Sequence, residues 1–441
     1  MELQFLGGAG EVGRSAVLVD GDLLLDYGMK SGTPPSFPVG SVDPDAVVVS
    51  HGHLDHAGAV PALLSGRDRP PIHWTPPTRE LALTLARDTL KLHGGSHRCP
   101  FTEPDLKRVG EVSRTHGYGE PFEAAGYEVT FFDAGHIPGS AHVLVDSGGG
   151  SRTGSDDGTR LLYTGDFHVA TDEAPRRDGR PQRTDGEGNP PRGQRLVAGT
   201  TARPDADVVV CESTYSDVIH ESRGAVERRF AESVRTTLHE GGTVVVPAFA
   251  IGRTQELLLV CEAHDIPCYV DGMGQGVTRM LRQCPDYVRD ADALRRAKSH
   301  ARFVGGRDGQ RRRIADQNVA IVTTSGMLSG GPAMSYIPAI RRNPTNKITM
   351  TGYQVEGTPG RELLETGSAE IDGRVMPVAA QAEQYDFSAH ADREGLLAFL
   401  DSYRDARVLV NHGDRCGAFA EELRADGYEA SAPELGNTVT V

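Results

Sequence analysis

The 441-residue sequence lacks the features that would place it in a membrane or in an oxidising compartment. No apolar run approaches the roughly 20 residues that a membrane span needs. The strand-like residues 1–6 have neither a basic leader segment nor a small-residue cleavage site. The six cysteines include no CxxC pair, which argues against a disulfide scaffold or a thiolate metal finger. We therefore expect a reduced, cytoplasmic protein without a membrane segment.

Lysine is also scarce, and the chain carries an excess of negative charge. Only five of the 46 basic residues are lysine, the acidic residues number 61, and the formal net charge is −15. Such a balance gives no overall basic footprint for nucleic acid. It resembles the composition of proteins from salt-loving archaea, in which high salt weakens electrostatic binding in any case. The average charge therefore does not exclude a local basic groove, although the single tryptophan and the 6% aromatic content give no obvious platform for stacking bases.

The pattern of apolar residues indicates the fold class. Strand-like apolar runs alternate with amphipathic stretches such as residues 78–92 and 225–240, which predicts an α/β protein. The length of the chain exceeds that of one ordinary domain, so two domains are expected.

A dense group of metal-binding residue types follows the apolar run 46–49. Residues 51–56 read His-Gly-His-Leu-Asp-His. In an extended segment, residues two apart point the same way, so His51 and His53 can reach one ion. After the chain turns, Asp55 and His56 can face a second ion. Imidazole and carboxylate groups without thiolates suit zinc, with manganese or iron as competitors.

Further candidate ligands each follow an apolar run elsewhere in the chain. His136 comes after residues 127–132, Asp166 after residues 161–163 and His412 after residues 408–410. A carboxylate at the end of such a run can bridge two ions.

With Asp26, these motifs resemble the sequential motifs of the metallo-β-lactamase fold. The resemblance implies two Zn²⁺ ions, with Mn²⁺ as an alternative. It assigns His51, His53 and His136 to the first ion, and Asp55, His56 and His412 to the second. It implies that Asp166 bridges the ions and that Asp26 orients a ligand; the alternative for Asp26 is a turn residue at a strand end.

Three more motifs resemble those of the β-CASP branch of this superfamily. They are residues 211–215 (Cys-Glu-Ser-Thr-Tyr), 387–392 (Phe-Ser-Ala-His-Ala-Asp) and 410–414 (Val-Asn-His-Gly-Asp). The resemblance implies a metallo-β-lactamase αββα sandwich with an inserted parallel α/β β-CASP domain. We expect the first domain to comprise residues 1–213 and 386–441, and the inserted domain to comprise residues 214–385.

The resemblance also implies the catalytic residues, Asp55, His390 and Glu212. His390 is expected to protonate the leaving ribose oxygen, with Glu212 hydrogen-bonded to it. Considered alone, His390 would be a core or turn histidine and Glu212 a strand-end cap.

Substrate contacts are expected at the motifs of the inserted domain. Arg253 opens a predicted helix that could hold a phosphate, and Ser325 and Gly326 offer a second backbone contact. The alternative is that these residues only pack the domain. The arginines of the insertion 171–193 could touch the RNA backbone, although a solvated insertion with balanced charge explains them as well.

These features predict a metal-dependent ribonuclease that cleaves single-stranded RNA internally. The histidine at position 412 is of the type seen in RNA-processing members of the branch. Residues 133–140 resemble the archaeal nucleases related to the cleavage and polyadenylation specificity factor, in the group without KH domains. The alternatives are a 5′→3′ exoribonuclease, a small-molecule metallo-hydrolase and an inactive RNA-processing scaffold. A homodimer and RNA-processing partner proteins are further options for its assembly.

Overall fold

The computed structural model describes residues 1–32, 34–148, 158–170, 193–371 and 373–441. Arg176, Arg177, Arg180, Arg183 and Arg192, the predicted backbone contacts of the insertion, lie outside the described residues. The chain divides into two compact units. One comprises the described residues within 1–182, 199–219 and 389–441, and the other those within 183–198 and 220–388. The domain boundaries expected after residues 213 and 385 stay a prediction.

The described residues contain strands and helices that are numbered here in chain order. The strands are β1 (Glu2–Gly7), β2 (Ala16–Val19), β3 (Leu23–Leu25), β4 (Ala46–Val48), β5 (Ile72–Trp74), β6 (Ser113–Thr115), β7 (Phe122–Ala124), β8 (Tyr127–Asp133), β9 (Ala141–Asp146), β10 (Arg160–Tyr163), β11 (Val208–Glu212), β12 (Val244–Pro247), β13 (Cys268–Asp271), β14 (Arg302–Phe303), β15 (Ala320–Thr323), β16 (Lys347–Met350), β17 (Ser368–Ile371), β18 (Arg374–Pro377), β19 (Gln381–Gln384), β20 (Arg407–Asn411), β21 (Glu429–Ser431) and β22 (Thr438–Thr440). The α-helices are α1 (Leu54–Ala57), α2 (Pro76–His93), α3 (Glu103–Val112), α4 (Arg223–His239), α5 (Arg253–Ala263), α6 (Gly274–Leu281), α7 (Ala291–His300), α8 (Gln310–Ala315), α9 (Ala333–Ile340), α10 (Pro359–Thr366), α11 (Arg393–Leu400) and α12 (Cys416–Ala425). Short 3₁₀ helices span Val60–Leu64, Pro285–Tyr287 and Asp401–Tyr403.

Two seven-stranded sheets form the centre of the first unit. Their strand orders are β22-β1-β2-β3-β4-β5-β6 and β21-β20-β11-β10-β9-β8-β7. One apolar layer contains side chains from both sheets, such as Phe5 and Phe131, so the sheets pack face to face. Outside the sheets, Val109 of α3 packs on the first and Phe419 of α12 on the second. This arrangement confirms the predicted αββα sandwich.

Strand β11 is apolar from Val208 to Cys211 because both of its faces are buried. Side chains alternate between the two faces of a strand. Val208 and Val210 therefore enter the layer between the sheets, whereas Val209 and Cys211 enter the layer beneath the outer helices. Both faces are buried, so a continuous apolar run is required instead of an alternating pattern.

The first long helix of this unit begins at a well-defined cap. The Thr75 hydroxyl accepts a hydrogen bond from the Thr78 backbone N–H, and Pro76 occupies the first helical position, where its missing N–H costs nothing. The hydroxyls of Thr75 and Thr78 also donate to the Gly139 carbonyl at 2.7 and 2.9 Å. The start of α2 therefore holds the loop that contains His136.

The second unit is built on a six-stranded parallel sheet. Its strand order is β14-β13-β15-β12-β16-β19, and every pair of neighbours is parallel. Helices α4 to α10 also lie in this unit. Strands β17 and β18 pair only with each other and form a separate two-stranded sheet. Helix α4 matches the amphipathic stretch 225–240. These elements confirm the predicted parallel α/β insertion.

In the part of the chain that the structure describes, no helix combines the length and apolar character needed to cross a bilayer.

Candidate metal centre

Three neighbouring parallel strands of the first unit carry site residues at their carboxyl ends. Strands β10, β11 and β20 are adjacent and parallel, with Glu212 opposite Asn411. Asp166 lies just beyond β10, Glu212 ends β11, and His412 follows β20. The carboxyl ends of parallel strands meet at one edge of a sheet, so residues far apart in sequence are brought together.

The other sheet contributes in the same way. Strands β3 and β4 are parallel, with Leu25 opposite Val48, so Asp26 and the histidine block begin side by side. His53 is extended at the N-cap position of α1, and Asp55 and His56 lie within that helical turn. The change from extended to helical backbone directs the two halves of the block differently, as the spacing predicts.

The first candidate group contains His51, His53, His136 and Asp166, whose ligand atoms lie within 4.8 Å of one another. His53 Nδ1 is 3.1 Å from His136 Nε2. His51 Nε2 and His136 Nε2 lie 3.5 and 3.9 Å from Asp166 Oδ2.

The second group contains Asp55, His56, His412 and again Asp166. His56 Nε2 and His412 Nε2 lie 3.3 and 3.5 Å from Asp166 Oδ1. His412 Nε2 is also 3.7 Å from Asp55 Oδ2. The two oxygens of Asp166 thus face different groups, which is the geometry of a bridging carboxylate.

The spacing and the hydrogen bonding of these atoms fit bound metal ions. Two ligand atoms on one tetrahedral ion at about 2.0–2.1 Å are about 3.3–3.4 Å apart, close to the separations found here. Among the described residues, no hydrogen-bond partner exists for the buried Nε2 atoms of His51, His56 and His412 or for Asp166 Oδ1. Buried polar atoms without partners are costly, and a metal ion would satisfy all four.

The Asp26 carboxylate accepts four hydrogen bonds from residues of this site. It is fully buried, and its backbone is left-handed, with φ 58°. Its Oδ2 accepts from His56 Nδ1 at 2.7 Å, from Ser50 Oγ at 2.7 Å and from the Tyr163 hydroxyl at 2.9 Å, and its Oδ1 accepts from the Ser50 N–H. Because Asp26 keeps a proton on Nδ1, a metal ion would bind His56 through Nε2.

Two other histidines are oriented by partners that the sequence pattern did not reveal. His412 Nδ1 lies 2.6 Å from Ser15 Oγ, and His136 Nδ1 donates to the Ala389 carbonyl at 2.8 Å. Neither Ser15 nor Tyr163 was predicted, because a lone serine or tyrosine beside a strand carries no distinctive signal.

Burial favours the neutral form of His51, His53 and His136, the three imidazoles of the first group. It lowers the pKa of His53 to about 4 and holds the pKa of His51 and of His136 well below the ordinary value. Neutral imidazole is the form that binds metal. Burial also opposes charge on His56, but the Asp166 and Asp26 carboxylates hold its pKa well above the usual range.

A separate pair lies beside the bridging carboxylate. His390 Nδ1 is 3.2 Å from both oxygens of Glu212, and ligand-type atoms of these two residues and Asp166 fall within 4.8 Å of one another. Burial alone would lower the pKa of His390, but the carboxylates of Glu212, Asp166 and Asp55 together raise it to about 9, with Glu212 contributing most. Glu212 also accepts from the Phe167 N–H at 2.8 Å. This pair can deliver a proton at the edge of the metal site.

Two histidines for which the sequence predicted no role contact backbone carbonyls next to site residues. The fully buried His142 donates from Nδ1 to the Thr164 carbonyl at 2.8 Å, two residues before Asp166. His168 Nδ1 lies 3.1 Å from the His390 carbonyl oxygen. Both fix loop backbone near functional side chains.

The predicted substrate contacts lie in the second unit. Arg253 is the first residue of α5, which follows β12, and Ser325 and Gly326 follow β15. All three are therefore at the carboxyl end of its parallel sheet. Their contact with RNA stays a prediction.

Comparison with protein-family models gives three matches along the chain. Residues 9–214 match the metallo-beta-lactamase superfamily, residues 254–363 the Beta-Casp domain, and residues 375–433 the Zn-dependent metallo-hydrolase RNA specificity domain. The matches follow one another in the order expected of a split first domain with an insertion.

Similar proteins are found among the archaea. The chain is 33% identical to a Saccharolobus solfataricus protein named RNase aCSPSF2, over all of this chain and 85% of the relative. It is 30% identical to the Probable RNase MJ4 of Methanocaldococcus jannaschii over the full length of both. It is 31% identical to the transcription termination factor FttA of Pyrococcus abyssi, over 98% of this chain and 70% of the relative.

A solved structure shows the same fold at low sequence identity. It is a protein of unknown function from Enterococcus faecalis, with a TM-score of 0.57 and 12% identity, and the match covers 100% of this chain and 99% of that one.

The hydrogen bond from His56 to Asp26 predicts an effect on metal affinity. We expect Asp26→Ala to lower the affinity for Zn²⁺ by about 10–100-fold, the usual effect of losing a residue that orients a metal ligand. Competition with a chromophoric chelator measures it. Tyr163→Phe is the matched control, because it removes one donor and leaves Asp26 on His56. Equal affinities for Asp26→Ala and the wild type would contradict the prediction.

The shared carboxylate predicts a pattern of metal loss. Asp166→Ala should lose metal from both groups, whereas His53→Ala and His412→Ala should each lose it mainly from one. Elemental analysis of the desalted proteins measures the metal retained per chain. His97→Ala, at an exposed histidine, is the control. If His53→Ala and His412→Ala retained as much metal as the wild type, the two groups would not be metal sites.

Proposed function

The chain belongs to the β-CASP branch of the metallo-β-lactamase superfamily, and we propose that it is a ribonuclease that hydrolyses phosphodiester bonds of single-stranded RNA. The observation that carries the proposal is the bridging position of Asp166 between two imidazole groups, with the Glu212 and His390 pair beside it. The names of the archaeal relatives and the RNA specificity domain match support RNA as the substrate.

The chain's own residues would hold two divalent ions, which we propose to be Zn²⁺, with Mn²⁺ as the alternative. The first ion would be held by His51, His53 and His136, and the second by Asp55, His56 and His412, with Asp166 shared. Bound ions would activate water and offset the negative charge of an in-line displacement at phosphorus. The nitrogen and oxygen donors, without thiolates, support this choice of metals.

Each remaining residue has a distinct task in the proposed reaction. Asp26 holds the proton on Nδ1 of His56 and fixes the ring. Asp55 is the most exposed of the ligands of the second group, with its side chain 29% exposed, so it borders the space that water enters. Glu212 orients His390 through Nδ1, and the opposite nitrogen of His390 gives its proton to the leaving 3′ oxygen of ribose.

Attack by water determines the products. They carry a 5′-phosphate and a 3′-hydroxyl, since the 2′-hydroxyl takes no part. We propose cleavage within the RNA chain, with 5′→3′ exonuclease action as the alternative. The cytoplasmic location predicted from the sequence agrees with an RNA substrate and stays a prediction.

A small-molecule metallo-hydrolase is the rival function. It would use the same metal ligands. It gives no task to the proton donor pair of Glu212 and His390 or to an RNA specificity domain, so the ribonuclease is favoured.

Cleavage of single-stranded RNA should depend on the ligands of the second group. With 5′-end-labelled single-stranded RNA in high potassium chloride, the metal-loaded wild type should give discrete internal fragments that are absent with Asp55→Ala/His56→Ala. Labelled mononucleotide would indicate exonuclease action instead. His97→Ala should cleave as the wild type does. If the wild type cleaved no RNA, or if mass spectrometry found 2′,3′-cyclic phosphate ends, the proposed reaction would be wrong.

His390 should act on the leaving group and not on the metal. We expect His390→Ala to slow single-turnover cleavage by about 10²–10⁴-fold without loss of bound metal, because a general acid typically contributes that much. RNA with sulfur in place of the bridging 3′ oxygen should restore most of the rate, since a thiolate leaves without a proton.

The same sulfur substrate distinguishes His390 from a ligand. Asp166→Ala should stay slow on it, because its defect lies in metal binding. If His390→Ala were equally slow on both substrates, His390 would not be the acid.

A further inference from the structure

The loops at the carboxyl end of the parallel sheet in the second unit expose two aromatic side chains. Phe249, just after β12, is 42% exposed, and Tyr353, just after β16, is 56% exposed. They are the only aromatic side chains among the large hydrophobic residues that are strongly exposed in the described part of the chain. Strands β12 and β16 are adjacent, so the two loops are neighbours.

The ring of Phe249 lies against backbone that has no side chains. A Cβ atom placed on Gly326 would lie 3.4 Å from Cδ2 of the ring, and one on Gly352 would lie 3.9 Å from Cε2. These are ordinary van der Waals separations, so the ring lies next to the loops after β15 and β16. The tighter contacts of a Cβ on Gly326 would be to backbone, 3.0 Å from Phe249 N and 3.2 Å from Ala248 C, so glycine at this position lets the loops after β12 and β15 approach closely.

A buried amide ties these loops together. Gln354 is 1% exposed, and its Nε2 donates to the carbonyls of Gly326, Gly352 and Tyr353 at 3.1–3.3 Å. Gln384 Nε2 also donates to the Gly352 carbonyl at 3.0 Å. The backbone that carries Tyr353 is therefore fixed to the backbone beneath Phe249.

The loop of Phe249 is fixed at its other end by helix α5. The N–H and the hydroxyl of Thr254 both donate to the Phe249 carbonyl, at 3.1 and 2.7 Å. The Thr351 hydroxyl donates to the Pro247 carbonyl at 3.1 Å and joins the loops after β12 and β16. Loops whose backbone is fixed in this way lose little backbone entropy when a flat ligand stacks on their side chains.

We propose that Phe249 and Tyr353 form a stacking platform for unpaired bases of the RNA substrate. This assignment rests on the proposed function. Aromatic rings bind single-stranded nucleic acid with little sequence preference, because every base has a π-face. The carboxyl ends of parallel strands are also where open α/β sheets bind ligands.

Two features favour nucleic acid over a protein partner. The exposed patch consists of two rings and the neighbouring Val355, far less than the roughly 800 Å² per partner of a stable protein interface. Helix α5 begins at Arg253, four residues after Phe249, and the positive end of its dipole favours the phosphates that join stacked bases.

The test measures single-turnover cleavage of single-stranded RNA by the metal-loaded protein. Phe249→Ala and Tyr353→Ala should each raise the RNA concentration for half-maximal rate by about 5–150-fold, equivalent to about 1–3 kcal/mol per stacked base, and leave the maximal rate nearly unchanged. Phe249→Tyr and Tyr353→Phe keep the rings and should behave as the wild type. Val375→Ala, at a 65% exposed residue of the same unit, is the matched control.

Abasic substitution along the RNA identifies the stacked base. At one position of the RNA, loss of the base should weaken binding to the wild type as much as Phe249→Ala weakens binding of the intact RNA. Loss of the same base should not weaken binding to Phe249→Ala any further. A second position should pair with Tyr353 in the same manner. A general folding defect in a variant would lower its response to every RNA equally and would leave no such coupling.

The outcomes separate the platform from the ribonuclease proposal. If the wild type cleaves RNA but neither ring couples to any base, the platform is wrong and the proposed function stands. The platform would likewise be wrong if the RNA concentration for half-maximal rate were unchanged in both alanine variants. The exposed rings would then be assigned to contact with a protein partner. If the wild type cleaves no RNA, both proposals fail together.

Discussion

The carboxylate of Asp166 is the constraint on which the first unit depends. Its Oδ2 faces His51 and His136, and its Oδ1 faces His56 and His412. These groups are almost completely buried, where an ionised carboxylate needs strong compensation. Neutral imidazoles such as His51 and His136 cannot offset this charge, so bound metal ions would supply the compensation, and the histidines that would hold them reach the site from different parts of the chain. The parallel pairing of β10, β11 and β20 places Asp166, Glu212 and His412 at one edge of their sheet, and the parallel pair β3 and β4 of the other sheet supplies Asp26 and the histidine block.

A second layer of hydrogen bonds decides which nitrogen of His56, His412 and His136 faces the candidate metal centre. Asp26, Ser15 and the Ala389 carbonyl each occupy Nδ1 of a histidine and leave Nε2 directed inward. Close packing is needed for this. Gly165 has φ 53°, and a Cβ atom there would lie 2.8 Å from Cβ of Ser50, so the loop of Asp166 can approach the histidine block only with glycine at this position. The metal centre is therefore prepared by backbone geometry as well as by its ligands.

The second unit uses the same edge of a parallel sheet for different chemistry. Every candidate metal group found among the described residues lies in the first unit. In the second unit the loops after β12, β15 and β16 are instead joined by the buried amide of Gln354, and they present glycine backbone and aromatic rings. A rigid neutral surface of this kind can hold a flexible chain without demanding a sequence, which suits a nuclease whose chemistry occurs at the phosphate and not at the base.

The resemblance of several motifs to the metallo-β-lactamase and β-CASP families implied the two-sheet sandwich with its parallel insertion. The sequence by itself determined the α/β class and the candidate ligands. These features depend on local patterns: apolar runs of strand length, the two-residue period of an extended segment and polar residues at strand ends. The structure also brings the predicted His390 and Glu212 together, although 178 residues separate them. Only the tertiary structure decided the partners behind the ligands and the exposure of the rings. Ser15 meets His412 across 397 residues, and Tyr163 meets Asp26 across 137. Such contacts follow from strand order, which no local pattern encodes. From the sequence, an aromatic residue just after a buried strand would be assigned to the core. Phe249 and Tyr353 are exposed instead, and this depends on which residues pack against them, which only the tertiary structure decides.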